Sequence, residues 1–168
     1  MNIGIIPGES FNRDILDDSW EIAAIQECHD NNYSNVENTL NGMAAEQFMI
    51  QYRGHINDPR KFRDTKYFNE SVEIKSASAK DDDYFLNRRA EVLAELRHRK
   101  VVWGKDISDY VIFFKRNDRY YTCDSLWTFD WTPHMYQQSK VWVQYDGPGY
   151  AKGKNGGMER FYDSDTVT

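Results

Sequence analysis

Residues 72–77 read VEIKSA, a run in which apolar and charged side chains alternate. This period of two is typical of a β-strand whose two faces differ, and it directs Glu73 and Lys75 to the face opposite the apolar pair. A second strand-like stretch, FRDTKYF, lies upstream at residues 62–68, and the turn-forming residues NES separate the two. The sequence therefore predicts an antiparallel hairpin whose apolar face packs on the core.

The polar face of this hairpin carries two acids and a base. Asp64 lies on the first arm, and a tight hairpin brings its carboxylate beside Glu73. Two adjacent carboxylates repel each other unless positive charge lies between them, and Mg²⁺ is a hard cation that takes oxygen ligands of this kind. Lys75 is placed to orient or deprotonate a water, or to neutralise charge on a phosphate. The pattern predicts a metal site suited to cleaving a phosphodiester.

Asp64 followed by Glu-Ile-Lys at 73–75 on a hydrophobic strand resembles the catalytic hairpin of the PD-(D/E)XK nuclease superfamily, the restriction-endonuclease-like proteins. That superfamily also tends to have a preceding helix with a glutamate near the metal, and NGMAAEQFMIQYRG offers Glu46 in a fitting place. A helix and further strands follow the hairpin there, as they are predicted to do here. The resemblance covers about residues 38–126.

The resemblance implies a Mg²⁺-dependent DNA endonuclease of the restriction, homing or junction-resolving type, in which Mn²⁺ can substitute. By that similarity Asp64 and Glu73 bind the metal, Glu46 is an accessory ligand or base, and Lys75 serves the attacking water. We expect DNA contacts from four basic residues: Lys66, Lys80, Arg88 and Arg89.

One position departs from the superfamily pattern. The usual proline before the aspartate is absent, because Arg63 precedes Asp64. Asp58 is followed by Pro59 and is an alternative aspartate, but it lies in a loop further from Glu73. We favour Asp64 because it belongs to a strand-like arm.

Two alternatives stay open at this point. The charged residues of the hairpin could form an ordinary solvated strand face, with Asp64 as a cross-strand partner. The protein could also be a non-catalytic α/β module that binds nucleic acid or protein. The net charge of −6 favours that alternative, since nucleic-acid binders are usually basic.

The rest of the chain predicts a single α/β domain over residues 1–168 with a restriction-endonuclease-like core, a central mixed sheet flanked by helices. Helices are predicted at 14–28, 38–52 and 84–100, the last with Asp83 as its N-cap. The C-terminal part, 127–168, should hold a further strand at 139–145 and a mobile loop or lid at 147–157.

Length and composition narrow the expected cellular location and oligomeric state. No apolar run approaches membrane-spanning length, and Cys28 and Cys123 lack metal-ligand spacing, which favours two reduced thiols in an intracellular, cytoplasmic protein. A chain of 168 residues with no appended DNA-reading module would need a second copy to cut both strands of a duplex. We therefore expect a homodimer or higher homo-oligomer.

Overall fold

The protein is an α/β structure, as the sequence predicted, with three helices and a mixed β-sheet. The computed structural model describes residues 2–32, 35–58, 64–79, 81–97, 108, 110–128, 150–152, 158–160 and 166–167. Lys80 and the strand predicted at 139–145 lie outside these residues. None of the described helices is long and apolar enough to cross a bilayer.

The described part of the chain holds three α-helices and nine strands. The helices are α1 (Ser19–Asp30), α2 (Val36–Tyr52) and α3 (Asp82–Arg97). The strands are β1 (Ser10–Asn12), β2 (Ile56–Asn57), β3 (Thr65–Tyr67), β4 (Glu70–Ser78), β5 (Tyr110–Asn117), β6 (Tyr120–Thr128), β7 (Tyr150–Lys152), β8 (Met158–Arg160) and β9 (Thr166–Val167).

The main sheet has the order β1-β6-β5-β4-β3-β2, and β9 also pairs with β6. The predicted hairpin is present, because β3 and β4 pair antiparallel around a two-residue turn. The chain then crosses through α3 to β5, which runs parallel to β4. All other neighbours in this sheet are antiparallel. The carboxyl ends of β4 and β5 consequently lie side by side.

Two apolar clusters cover the two faces of the sheet. Along β5, Ile112 and Phe114 belong to a cluster with α1 and α2, whereas Val111 and Phe113 belong to a cluster with α3. Successive residues of a strand point to opposite faces, so α2 and α3 pack on opposite sides of the sheet. The result is a three-layer arrangement.

Local capping explains where the helices begin and end. Asn35 accepts a hydrogen bond from the Asn38 N–H at the start of α2, and Gly54 adopts a left-handed φ of 78° just after its end. The prediction that Asp83 caps α3 was wrong, because the Asp81 carboxylate accepts from the Tyr84 N–H at 2.7 Å.

Two further predictions of the chain's local structure need correction. The first α-helix starts at Ser19 rather than near residue 14, because the Asp17 carboxylate accepts from the Ser19 N–H and sets the start there. The stretch 147–157 is not simply a loop, since Tyr150–Lys152 within it forms β7 and pairs antiparallel with β8 in a separate two-stranded sheet.

Candidate active site at the edge of the catalytic-type hairpin

The site begins where β3 stops. Among the described residues, β3 pairs with β4 only as far as the Thr65–Val72 pair. One residue earlier, Asp64 leaves the ladder and its Oδ2 accepts a hydrogen bond from the Ile74 N–H at 2.8 Å. This carboxylate therefore takes the place of a strand carbonyl, and the hydrogen bond fixes its position against the middle of β4.

Glu73 and Lys75 form an ion pair on the same face of β4. The Lys75 Nζ lies 3.0 Å from Glu73 Oε1. Glu73 is 3 % exposed, whereas the Lys75 side chain is 31 % exposed. A buried carboxylate is unfavourable unless it is paired, and the ammonium supplies the partner. Glu73 is therefore not part of a solvated strand face, which removes that alternative for this residue.

Glu46 joins these residues from α2. It is half-buried at the margin of the apolar face that Ala45 and Met49 turn towards the sheet. Burial is the main cause that raises its pKa from 4.5 to about 9, and the charge of Asp64, a hydrogen bond to Asp64 and the charge of Glu73 act in the same direction. The Lys75 ammonium opposes the shift. At neutral pH Glu46 is consequently protonated and donates to Asp64.

The structure thus brings all four residues that the sequence singled out for catalysis into electrostatic contact. Asp58, the alternative aspartate, is used differently. It is buried and accepts a hydrogen bond from the Ser71 hydroxyl at 2.8 Å, which ties the loop after β2 to the start of β4. Asp64 is the aspartate that contacts Glu46.

A cleft of about 390 Å³ adjoins this cluster, and Glu46 and Lys75 line it. Four elements contribute to its walls: one side of α2, the second half of β4, the first turns of α3 and the end of β5. The lining residues are Asn38, Thr39, Asn41, Gly42, Met43, Glu46, Ile74, Lys75, Ser76, Ala77, Ser78, Tyr84, Arg88 and Arg116. Its volume is in the range of small-ligand pockets, roughly 300–1,000 Å³.

The basic residues predicted to contact DNA lie in different surroundings. Arg88 is exposed on α3, lines the cleft and pairs with Glu91 at 2.9 Å. Arg89 instead pairs with Asp124 at 2.9 Å and stacks over the Trp127 ring, so its guanidinium is held against the sheet. Lys66 is half-buried on β3.

The sequence did not single out two other residues of the cleft, Tyr84 and Arg116. Arg116 is the penultimate residue of β5, where it pairs in register with Ser78 at the end of β4. The apolar run YVIFF indicated the strand, but its place beside Ser78 depends on the parallel crossover through α3. Ligands of open α/β sheets bind beside the carboxyl ends of the strands, and that rule would have pointed to Arg116 once the crossover was assumed.

Neither histidine nor thiol chemistry is favoured in the described part of the chain. His55 is buried, with Nε2 2.7 Å from the Ile3 carbonyl and Nδ1 2.6 Å from the Thr65 hydroxyl. Both cysteines are free and buried, and burial raises the pKa of Cys123 to about 12. His55, Cys28 and Cys123 therefore occupy structural positions.

The described residues contain no group of three or more His, Cys, Asp or Glu side chains already arranged to hold a metal ion. The four clustered residues neutralise one another instead, because Glu46 donates to Asp64 while Lys75 pairs with Glu73. Comparison with protein-family models, with curated proteins and with solved structures finds no match to this chain.

Proposed function

We propose that the protein is a metal-dependent nuclease that hydrolyses phosphodiester bonds of DNA. The observation that carries the proposal is the convergence of Glu46, Asp64, Glu73 and Lys75 beside an open cleft. They come from two separate elements, so their meeting depends on how α2 packs against the hairpin. A chance surface pattern would not bring three acids and one lysine together in this way.

The donor set fits a divalent cation such as Mg²⁺ or Mn²⁺. Three carboxylates supply oxygen ligands, and the negative charges of Asp64 and Glu73 add to burial in raising the pKa of Glu46, against the opposing charge of Lys75. A cation bound by Asp64, Glu73 and Glu46 would replace the shared proton as the neutralising charge. When bound, Mg²⁺ supplies Lewis-acid chemistry, polarising the phosphate and lowering the pKa of water.

The protein's own side chains would perform the remaining steps. Lys75 is partly exposed to the cleft and can donate a hydrogen bond to the attacking water or to a non-bridging phosphate oxygen. Glu46, once its proton is lost, can accept a proton from that water. The hydrogen bond from the Ile74 N–H holds Asp64 in place throughout. Together they would position the water for in-line attack on phosphorus.

The arrangement of elements supports a restriction-endonuclease-like core as part of the same proposal. A helix bearing Glu46 precedes the hairpin, and the hairpin is followed by α3 and a parallel strand. This is the order that the resemblance to PD-(D/E)XK nucleases implies. The restriction, homing or junction-resolving role, the intracellular setting and the homo-oligomer belong to the proposal, and sedimentation giving a strict monomer with and without DNA would contradict the oligomer.

The decisive experiment compares cleavage by the wild type and by variants. Supercoiled plasmid, linear single strands and branched DNA are incubated with Mg²⁺ or Mn²⁺, and Glu73→Gln and Lys75→Met are expected to lower the rate at least a hundredfold. Asp58→Asn is the matched control, since Asp58 is a buried aspartate in the loop after β2 and lies outside the cluster. Equal cleavage by all variants would refute the active site.

Metal binding provides an independent readout. A ligand that binds only the folded state at a hundred times its Kd stabilises that state by about 2.7 kcal/mol, so Mn²⁺ should raise the melting temperature of the wild type. Asp64→Asn should abolish this effect, and Asp58→Asn should retain it. If neither the wild type nor Asp58→Asn bound the metal or cleaved DNA, while both still bound nucleic acid, the non-catalytic binding module would be favoured instead.

A further inference from the structure

The cleft extends beyond the acidic cluster to a second group of polar residues. Arg116 and Arg88 line this part of the cleft together with Tyr84 and with Ser78, the last residue of β4. Lys75 and Ser78 are three residues apart on β4, which separates the two ends by about 10 Å along the strand. The parallel register sets Arg116 directly beside Ser78. The backbone of Arg116 therefore also lies about 10 Å from Lys75, measured along the strand direction.

Arg116 and Arg88 make only weak contacts with other residues of the protein. Arg116 donates to the Asp118 carbonyl at 3.2 Å in an exposed turn. Arg88 pairs with Glu91, and both of these side chains are about half exposed. Exposed contacts of this kind contribute little to stability, and a phosphate can replace them at small cost. In contrast, Arg89 on the same helix is held by Asp124 and Trp127.

The size of the cleft restricts what can enter it. A volume of about 390 Å³ accommodates a nucleotide-sized group rather than a duplex. The acidic balance of the chain argues in the same direction, since a duplex presents dense phosphate charge that a net charge of −6 repels. A single strand needs only a local basic groove.

We propose that Arg116 and Arg88 bind a neighbouring phosphate of a single DNA strand whose scissile phosphate lies at the acidic cluster. This inference rests on the proposed nuclease function and names its substrate: a single strand, a flap or a frayed end, held along the carboxyl ends of β4 and β5. The side chains proposed to catalyse hydrolysis and those proposed to bind the neighbouring phosphate are then separate groups in one cleft.

The test measures binding, which does not depend on turnover. Affinity of the full chain for a fluorescent single-stranded oligonucleotide is measured over a range of salt concentrations without added divalent cation. Each phosphate contact on a single strand contributes about 0.7 to the slope of log K against log salt. Because the two arginines share one phosphate, Arg116→Gln and Arg88→Gln should each make the slope less steep by up to about that amount and weaken binding about tenfold.

Lys115→Gln is the matched control. Lys115 precedes Arg116 on β5, carries the same charge, pairs with Asp82 at 3.1 Å, and does not line the cleft. Its substitution should leave slope and affinity unchanged. An equal loss in all three variants, no measurable binding, or a duplex bound as tightly as the single strand would overturn the proposal.

Cleavage distinguishes this inference from the function on which it rests. With Mg²⁺, Arg116→Gln should raise KM for a single-stranded substrate about tenfold and leave kcat within about twofold, because it removes binding remote from the reacting phosphate. Absence of cleavage by the wild type, with the salt slopes as expected, would refute the nuclease and keep the phosphate-binding groove. Cleavage with unchanged slopes would refute the groove alone.

Discussion

Replacing Glu46 with Gln should change how stability depends on pH. The carboxyl has a pKa of about 9 in the folded protein and the ordinary value of 4.5 when exposed, so between these values the folded state holds one proton more than the unfolded state. The free energy of unfolding therefore falls as pH rises, by up to about 1.4 kcal/mol per pH unit. From pH 6.5 to 8.5 the wild type should lose up to about 2.7 kcal/mol that Glu46→Gln retains.

Urea unfolding at several pH values between 6.5 and 8.5, without divalent cations, measures this difference. Gln keeps the shape and can donate to Asp64, but it cannot ionise, so subtraction of the two curves removes every other titrating group. Glu27→Gln, on the exposed side of α1, is the control and should run parallel to the wild type. If the Glu46→Gln curve also ran parallel to the wild type, the three acids would not be in electrostatic contact, and the proposed metal site would fail with them.

Two more predictions concern residues near the site. Burial lowers the pKa of His55, so below about pH 6.5 this imidazole binds a proton in the unfolded state but not in the folded state. In the Glu46→Gln background, unfolding free energy should therefore fall as pH drops from 6.5 to 5, and a flat calorimetric profile would contradict this. Phe68 is 81 % exposed with a φ of 53° at the hairpin turn. Phe68→Gly should raise the unfolding free energy by roughly 0.5–1 kcal/mol, while Phe68→Ala should not.

The hairpin and α2 could be predicted because their signals are local. The alternation around Glu73 and the stripe that contains Ala45 are patterns within one element, and each element formed where its pattern lies. The placement of Asp64 beside β4 followed from the predicted hairpin. The burial of Glu73 did not, since burial depends on neighbours that pack from elsewhere in the chain.

The parts that escaped prediction depend on contacts distant in sequence. The short strand β1 pairs with β6 across more than a hundred residues, and nothing in Ser-Phe-Asn by itself indicates a strand. Arg116 enters the cleft only because α3 carries the chain over to a parallel neighbour of β4. Lys75 could be assigned a role from its own strand, whereas Arg116 needed the topology.

The electrostatic cost of burying the acidic cluster distinguishes a ligand-binding site from residues that serve only to pack the fold. The ion pair of Glu73 and Lys75 loses hydration on burial, and buried pairs of this kind are often no more stable than apolar side chains of similar volume. Glu46 adds a carboxyl whose ionisation above neutral pH destabilises the folded state. It lies next to Asp64, whose carboxylate already takes the place of a ladder hydrogen bond. Folding alone would be served as well by apolar residues at these positions. The proposed cation site would use these crowded acids and the adjacent ammonium, so the electrostatic cost is a feature that the proposed nuclease accounts for and a purely structural hairpin does not.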